Sequence, residues 1–143
     1  MRSIWKQHFA LNKLNNHRVG GLAEMLEIKI VSRGNNWLRA EMPVKSKHLQ
    51  PFGIVHGGAT ASLAETVASI AGWLCVDGKT QRTVGLELNI NHLKAINSGT
   101  LTAKATAIHV GRLTQVWQID IHNQDFKQVS TSRLTVTVIP AKR

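Results

Sequence analysis

Residues 50–76, QPFGIVHGGATASLAETVASIAGWLCV, decide how the rest of the chain is interpreted. A loop containing Pro and Gly passes through His56-Gly57-Gly58 into a long apolar run. From residue 59 to 76 most side chains are apolar, which predicts a helix buried on most sides, and Asp77-Gly78 is a helix stop signal. The run is too short and too often interrupted for a membrane span, which needs about 20 apolar residues.

The polar residues of this predicted helix fall on one face. Ser62, Glu65, Thr66 and Ser69 follow the spacing i, i+3, i+4, i+7. Burying a carboxylate is costly unless it is paired or has a function. Two interpretations of Glu65 stay open here. It either reaches solvent or a cation at a seam, or it marks a site on the polar stripe, near a His and two glycines.

Composition indicates a single globular domain spanning residues 1–143. This length allows a sizeable core, and 43% of the residues are hydrophobic. Cys75 is the single cysteine, so no intrachain disulfide can form, and its apolar surroundings predict a small buried hydrophobe. Seven scattered His, without CxxC or HExxH spacing, predict no metal site and no cofactor. A reducing, cytoplasmic setting fits this composition.

The formal net charge of +10 predicts an anionic partner: nucleic acid, an anionic membrane or a phosphorylated small molecule. Lys and Arg are spread along the chain, and no zinc finger, helix-turn-helix or RNP-type motif is present. We therefore expect binding of neither nucleic acid nor membrane. The first 23 residues contain no acid, as in a transit peptide. We instead predict a short packed helix, because an apolar stripe can form from Ile4, Trp5, Phe9, Leu11 and Leu14.

Alternating apolar residues predict six strands. After a turn at Val19-Gly20-Gly21, residues 25–32 and 37–44 alternate on either side of a turn, which predicts a hairpin. Four more strands follow the long helix, at 83–95, 100–110, 113–123 and 126–139. This order predicts an α+β fold in which one sheet packs on one helix. Because the sheet covers such a helix only in part, we expect a second subunit to cover the rest.

Motifs in the loop, the helix and three strands together resemble a known family. Residues 50–59 and Leu63-Ala64-Glu65-Thr66 are similar to the hot-dog-fold acyl-CoA thioesterases. Residues 84–92, 115–119 and 132–135 narrow the resemblance to the branch of 1,4-dihydroxy-2-naphthoyl-CoA hydrolases and related aryl-thioester proofreading enzymes. The resemblance covers nearly the whole chain. It implies a curved antiparallel sheet wrapped round one long helix, and hydrolysis of an acyl- or aroyl-CoA thioester.

The resemblance also implies a catalytic apparatus. Glu65 would attack the thioester carbonyl or activate the water that does, while the backbone N–H of Gly57 would face the carbonyl oxygen. Gln50 and His56 would line the carbonyl end, and Ser69 would help to hold the water. Unpaired N–H groups at the positive end of a helix dipole suit an oxyanion. A carboxylate on an apolar helix is expected to have a raised pKa, which makes it a better base near neutral pH.

Two segments are implied to bind the CoA thioester. The first comprises Gly85, His92, Leu93, Lys94 and Ala95. The second is a nucleotide-contacting loop made of His109, Val110, Gly111, Arg112, Leu113 and Thr114. We favour Arg112 over Lys94 as a phosphate contact. Simpler interpretations stay open for the two histidines, His56 as a helix cap and His92 as a structural strand residue.

The spacing of two implied site residues predicts a shared site. Gly57 and Glu65 lie eight positions apart, which is about 12 Å along a helix at 1.5 Å per residue. One thioester cannot easily touch both in the same chain. We therefore predict that Gln50, His56 and Gly57 come from one subunit, and Glu65 and Ser69 from its partner across a two-fold axis. A homodimer is the minimum, and a dimer of dimers, a homotetramer, is expected.

Three other functions compete with thioester hydrolysis at this stage. A hot-dog hydratase or dehydratase also uses a His and a helix carboxylate, but at a different spacing. A non-catalytic acyl-CoA-binding module would bind the thioester without turnover. Nucleic-acid binding is suggested by the net charge alone and would be salt-dependent.

Overall fold

The computed structural model describes residues 1–16 and 21–142, and it contains a six-stranded sheet with one long helix packed on it. The helices are α1 (Leu11–Asn16), α2 (Leu22–Met25) and α3 (Gly57–Leu74), and a 3-10 turn spans Ser46–His48. The strands are β1 (Lys29–Arg33), β2 (Trp37–Pro43), β3 (Gln81–His92), β4 (Thr100–Val110), β5 (Thr114–His122) and β6 (Gln128–Pro140). The predicted α+β layout is confirmed.

The strand order is β1-β2-β4-β5-β6-β3, and every neighbouring pair is antiparallel. The connection through α3 takes the chain from β2 to β3, which lies at the far edge of the sheet. There Gln81 lies opposite Pro140, and His92 lies opposite Ser130. The start of β3 therefore shares one end of the sheet with the β4–β5 turn. The end of β3 shares the other end with the β5–β6 turn.

One face of the sheet, here called the inner face, packs against α3. Alternation along the strands buries their inward side chains completely, among them Leu38, Ala40, Met42, Leu101, Ala103, Trp117, Ile119 and Ile121. α3 meets them with Leu63, Val67 and a series of alanines, which allow a close approach. At Gly72 an added Cβ would lie 2.9 Å from Oε1 of Gln115, so this point of contact requires glycine. The polar stripe of α3, which includes Glu65, is only partly buried.

The N-terminal segment packs on the core as predicted, but most of it is not helical. Trp5 stacks on Trp117 with ring centroids 6.2 Å apart. The N–H groups of Lys6 and Gln7 both donate to the carbonyl of Leu74, at 2.9 and 3.1 Å. The prediction of a helix from residue 4 is wrong, because these N–H groups bond to other elements. Only Leu11–Asn16 is helical.

β1 begins later than the alternation of the sequence predicts. The alternation of residues 25–32 predicts a strand from Met25, yet Leu22–Met25 form α2 and β1 begins at Lys29. The N–H of Ile28 bonds to the carbonyl of Ala23 at 2.8 Å, and Glu27 adopts a φ of 58° between them. This closed turn prevents an extended chain before residue 28.

The other boundaries differ less. α3 covers residues 57–74 instead of 59–76, since the two glycines form its first turn. β3 lies two to three residues earlier than predicted, and β4 has the predicted bounds. The predicted turn at Val19-Gly20-Gly21 falls largely outside the described residues. Within the described residues, no helix is long and apolar enough to cross a membrane.

Candidate active site

A tight loop before α3 fixes where the helix begins. Gly53, with a φ of 80°, needs the left-handed region that glycine favours, and its N–H donates to the carbonyl of Gln50 at 2.9 Å. The N–H of Gln50 donates back across the loop to the carbonyl of Ile54 at 2.8 Å. The Gln50 Oε1 accepts from the N–H of Phe52. The amide nitrogen of the Gln50 side chain is therefore the end that a substrate can use.

His56 caps the N-terminus of α3. Its Nδ1 accepts from the N–H of Gly58 at 2.8 Å, and its carbonyl accepts from the N–H of Ala59 at 2.9 Å. Its own N–H donates to the carbonyl of His48 at 2.8 Å. Within the described residues, the N–H of Gly57 is left without an acceptor in this first turn. Because Nδ1 accepts, neutral His56 carries its proton on Nε2, which is free to donate to a ligand.

His92, at the end of β3, lies against the same helix start. An added Cβ on Gly57 would be 2.9 Å from its Nε2, so glycine leaves the room that the imidazole occupies. The structure thus brings together His56, Gly57 and His92, which we call the donor half-site. The sequence placed His92 on a strand 35 positions away from Gly57. Only the sheet crossover explains their contact.

Glu65 lies two turns further along α3, on the face toward β3. An added Cβ on Gly85 would overlap the Glu65 Oε1, so the carboxylate rests on a glycine of the edge strand. The β3–β6 register shifts between Gly85 and Glu87, which makes a bulge beside the carboxylate. In residues 1–16 and 21–142, Glu65 has no hydrogen-bond or ion-pair partner. Burial raises the pKa of Glu65 above its ordinary value, as expected from the sequence.

A cavity of about 1180 Å³ opens beside this carboxylate. α3 contributes Glu65, Thr66, Ser69, Ile70 and Trp73 to its lining. We call Glu65, Thr66 and Ser69 the carboxylate half-site. Phe9, which stacks on Trp73 with centroids 5.5 Å apart, brings the N-terminal segment into the same lining. The cavity therefore joins the polar stripe of α3 to a stacked aromatic pair.

The two half-sites do not meet within one protomer. Gly57 and Glu65 both belong to α3 and are separated by eight residues, which is about 12 Å along the axis. None of Gln50, His56, Gly57 or His92 lines the cavity at Glu65. The structure brings Gly85 to Glu65 and His92 to Gly57, so the residues implied to bind one thioester are divided between two places.

The remaining implied CoA contacts lie at opposite ends of the sheet. Leu93, Lys94 and Ala95 follow β3 at the end where the donor half-site lies, and the N–H groups of Leu93 and Lys94 donate to the carbonyl of Val129. Residues 109–114 form the β4–β5 turn at the other end, closed by the N–H of Gly111 donating to the carbonyl of Thr114 at 2.9 Å. Val110, Gly111 and Arg112 line a smaller cavity of about 300 Å³ with Lys6 and Gln81.

The sequence did not predict two contributions to the site. Phe9 and Lys6 line the cavity at Glu65, although the apolar stripe had shown only that this segment packs somewhere on the domain. Gly85 was assigned to substrate by resemblance, and its contact with Glu65 was not foreseen. Neither had a local signal, since both depend on long-range packing. Nowhere in the described chain do three His, Cys, Asp or Glu side chains converge as metal ligands.

The model of the family described as "Thioesterase superfamily" matches residues 52–130 of this chain. The 1,4-dihydroxy-2-naphthoyl-CoA hydrolase of Escherichia coli K12 is 40% identical over 136 residues, which cover 95% of this chain and 99% of that protein. The proofreading thioesterase EntH of Cronobacter turicensis is 42% identical over 137 residues, covering 95% and 98%. The crystal structure of thioesterase HI1161 from Haemophilus influenzae superposes with a TM-score of 0.92 at 44% identity, covering 96% and 95%.

Proposed function

This chain belongs to the thioesterase superfamily and is a thioester hydrolase, and from that premise we propose that it cleaves acyl- or aroyl-CoA thioesters at a site shared between two protomers. One observation carries the proposal. A free backbone donor at Gly57 and an unpaired, half-buried carboxylate at Glu65 stand two turns apart on the same helix. Each lacks the complementary group within its own protomer.

A two-fold arrangement of antiparallel α3 helices supplies the missing group to each half-site. β3 is an edge strand, twelve residues long, and it exposes Val84 and Leu86. Exposed edges with apolar side chains favour pairing with another chain. Pairing of β3 with its copy would set the donor half-site of one protomer against the carboxylate half-site of its partner, giving two sites per dimer. A dimer of dimers remains our expectation for the full assembly.

The proposed reaction begins with attack on the thioester carbonyl. Glu65 accepts a proton from a water held with Ser69 of the same protomer, and the water oxygen bonds to the carbonyl carbon. The carbonyl electron pair moves to the oxygen, where the Gly57 N–H of the other protomer stabilises it. The C–S bond then breaks, and the CoA thiolate recovers the proton from Glu65. If Glu65 itself attacks, an anhydride forms first and water hydrolyses it in a second step.

The surroundings of Glu65 fit the role of a base. Its pKa is raised by burial, which brings a carboxyl group closer to neutral pH and makes its ionised form more basic. The bulge next to Gly85 keeps the β3 backbone against the carboxylate without a side chain in between. The Gln50 amide and His56 Nε2–H would complete the carbonyl end, since their other polar atoms are already bonded.

We propose that the acyl group enters the cavity beside Glu65 and that different protomers supply the two CoA-binding segments. The stacked Phe9 and Trp73 give that cavity an aromatic wall, which suits an apolar or aromatic acyl group. Residues 92–95 and 109–114 lie at opposite ends of the sheet of one protomer. One CoA would therefore meet the first segment from the donor protomer and the second from its partner. Arg112 is the proposed phosphate contact.

A panel of CoA thioesters tests the proposal. Benzoyl-, hydroxybenzoyl-, hydroxynaphthoyl- and fatty acyl-CoAs are incubated with the protein, and thiol release is followed. Glu65→Gln and Glu65→Ala are expected to lower kcat about 10³-fold for the best substrate. Glu41→Gln is the matched control, because Glu41 lies on β2 between inward-facing Ala40 and Met42 and points to the outer face. Undiminished release by Glu65→Gln would remove Glu65 from the mechanism.

A further inference from the structure

Ser130, in β6, has a buried hydroxyl group with no hydrogen-bond partner in the described part of the chain. The residue is completely buried, and a buried hydroxyl left unpaired lowers stability. Ser132 lies two residues further on the same inner face and is also buried, but its Oγ donates to the carbonyl of Ile119 at 3.1 Å. The two serines thus share a face and are both buried, and they differ in whether the hydroxyl is hydrogen-bonded. Buried hydroxyl groups are normally hydrogen-bonded, so we expect a side chain to be the partner of Ser130.

The position of Ser130 identifies that partner. In the β3–β6 ladder Ser130 lies directly opposite His92. Side chains directly opposite on one face have Cβ atoms about 4.5–5.5 Å apart, so a hydroxyl and an imidazole can bond after a rotamer change. The imidazole of His92 in turn lies against Gly57. The register therefore places Ser130 beside His92, and the ring of His92 lies against Gly57.

The two histidines of the donor half-site differ in how their tautomers are set. The Nδ1 of His56 accepts a backbone N–H, which places its proton on Nε2. The imidazole of His92 makes no hydrogen bond within the described residues, so no backbone group sets its tautomer. Its Nε2 is the atom nearest to Gly57. Ser130 is the residue of the adjacent strand that lies directly opposite His92.

We infer that Ser130 is a positioning residue for His92. Its O–H donates to Nδ1 of His92 in the substrate complex, which holds the neutral tautomer with its proton on Nε2. The Nε2–H then faces the thioester oxygen beside the Gly57 N–H, so the oxyanion has two donors. Hydrogen bonds of this kind are often unformed in a free enzyme and tighten when substrate binds. The inference rests on the proposed function, because it assigns a purpose to the donor half-site.

A double-mutant cycle tests this role. Ser130→Ala is expected to lower kcat about 10-fold with little change in KM, and Ser130→Thr, which keeps a hydroxyl, to retain most of the rate. In a His92→Ala background the same Ser130→Ala change is expected to have no further effect. Ser132→Ala is the matched control, and it should lower the Tm while leaving kcat in place. Ser130→Ala removes an unpaired buried hydroxyl, so its Tm should stay equal or rise.

The ring ¹⁵N resonances of His92 give a readout that does not depend on turnover. With a non-hydrolysable CoA thioether bound, the wild type should show an unprotonated Nδ1 and a protonated Nε2, and Ser130→Ala a mixture of tautomers. Equal tautomers in both proteins would overturn the inference, as would a Ser130→Ala loss of equal size with and without His92. A fully active Glu65→Gln would instead defeat the proposed chemistry while leaving this spectroscopic test valid.

Discussion

The first and third turns of α3 leave opposite kinds of polar group without a partner in the described chain. The first turn satisfies its N–H groups through the His56 ring and carbonyl, and leaves only that of Gly57 free among the described residues. The third turn presents an acceptor, Glu65, which is half-buried and has no partner in the described chain. One region offers a donor without an acceptor and the other an acceptor without a donor. Within the described part of one protomer, neither the Gly57 N–H nor the Glu65 carboxylate has a partner.

Under the proposed function, this difference lets a single helix carry both halves of a catalytic site. Because the halves are about 12 Å apart on the axis, the proposal requires a second helix to run past the first, so that both halves reach one substrate. The same spacing that prevents a hydrogen bond between the Gly57 N–H and Glu65 of one protomer would keep both groups available for substrate. The following predictions test whether the donor and carboxylate half-sites of two protomers act together, and how much each contributes.

Mixing two inactive variants gives the largest expected effect. Dimers of Glu65→Gln or of Gly57→Pro have two damaged sites each, and we expect activities about 10³-fold and 10²-fold below wild type. A mixed dimer has one site with both defects and one intact site. After joint refolding, about a quarter of wild-type activity should return, since half of randomly assembled dimers are mixed. Thiol release before and after mixing measures this, and no recovery would mean that each site lies within one protomer.

Removing the Gly57 donor gives the next largest effect. Proline is tolerated at the first position of a helix, and His56 has the extended backbone, with ψ of 129°, that a following proline requires. Gly57→Pro should lower kcat about 10²-fold because it removes one N–H. Gly57→Ala also crowds His92 but keeps the N–H, so it should lose much less. If kcat falls equally in both, crowding rather than the donor is responsible.

Gly85→Ala tests how closely the carboxylate half-site is positioned. The added methyl overlaps the Glu65 Oε1 and must displace the carboxylate. A displacement of about 1 Å can lower a rate by about 10²-fold, so we expect kcat to fall up to that much while KM changes little. Asn89→Ala, at an exposed position of the same strand that does not line the cavity, is the control. An unchanged kcat in Gly85→Ala would show that the position of Glu65 is not fixed by β3.

The smallest expected effect is on stability. The folded-state pKa of Glu65 is raised, so ionising it costs folding free energy above its unfolded pKa, and stability falls as pH rises through the folded pKa. Glu65→Gln should therefore raise the Tm by about 2 °C at pH 7 and have no such effect near pH 4. Thermal unfolding at the two pH values measures this. A Tm gain that persists at pH 4 would point to a cause other than the charge.

Much of the fold followed from periodicity, because alternation and helical spacing are local signals. The bounds of β4 were predicted correctly, and the predicted strand at 113–123 is β5, which buries Trp117, Ile119 and Ile121 at alternate positions. The hot-dog fold and the thioesterase family, expected from the loop and helix motif, are confirmed by relatives and solved structures. The raised pKa of Glu65 could be anticipated because one carboxylate interrupts an apolar helix.

What could not be predicted depends on contacts between distant segments. The stripe from Ile4 to Leu14 has helical spacing, but the N–H groups of Lys6 and Gln7 are taken by the carbonyl of Leu74. The contact of His92 with Gly57 needs the crossover that brings β3 to the sheet edge. The oligomeric state and the individual CoA contacts stay predictions, since each requires a second protomer or a bound substrate.

The bonds that join the N-terminal segment to the end of α3 have a consequence for how new selectivity can arise. Lys6 and Gln7 are hydrogen-bonded to the last turn of the helix. Phe9 lines the cavity proposed to hold the acyl group and belongs to neither half-site. Mutations in these opening residues can reshape the space for the acyl tail without disturbing Glu65 or Gly57. Laboratory evolution toward bulkier or slimmer thioesters should therefore accumulate its first useful changes within the first sixteen positions.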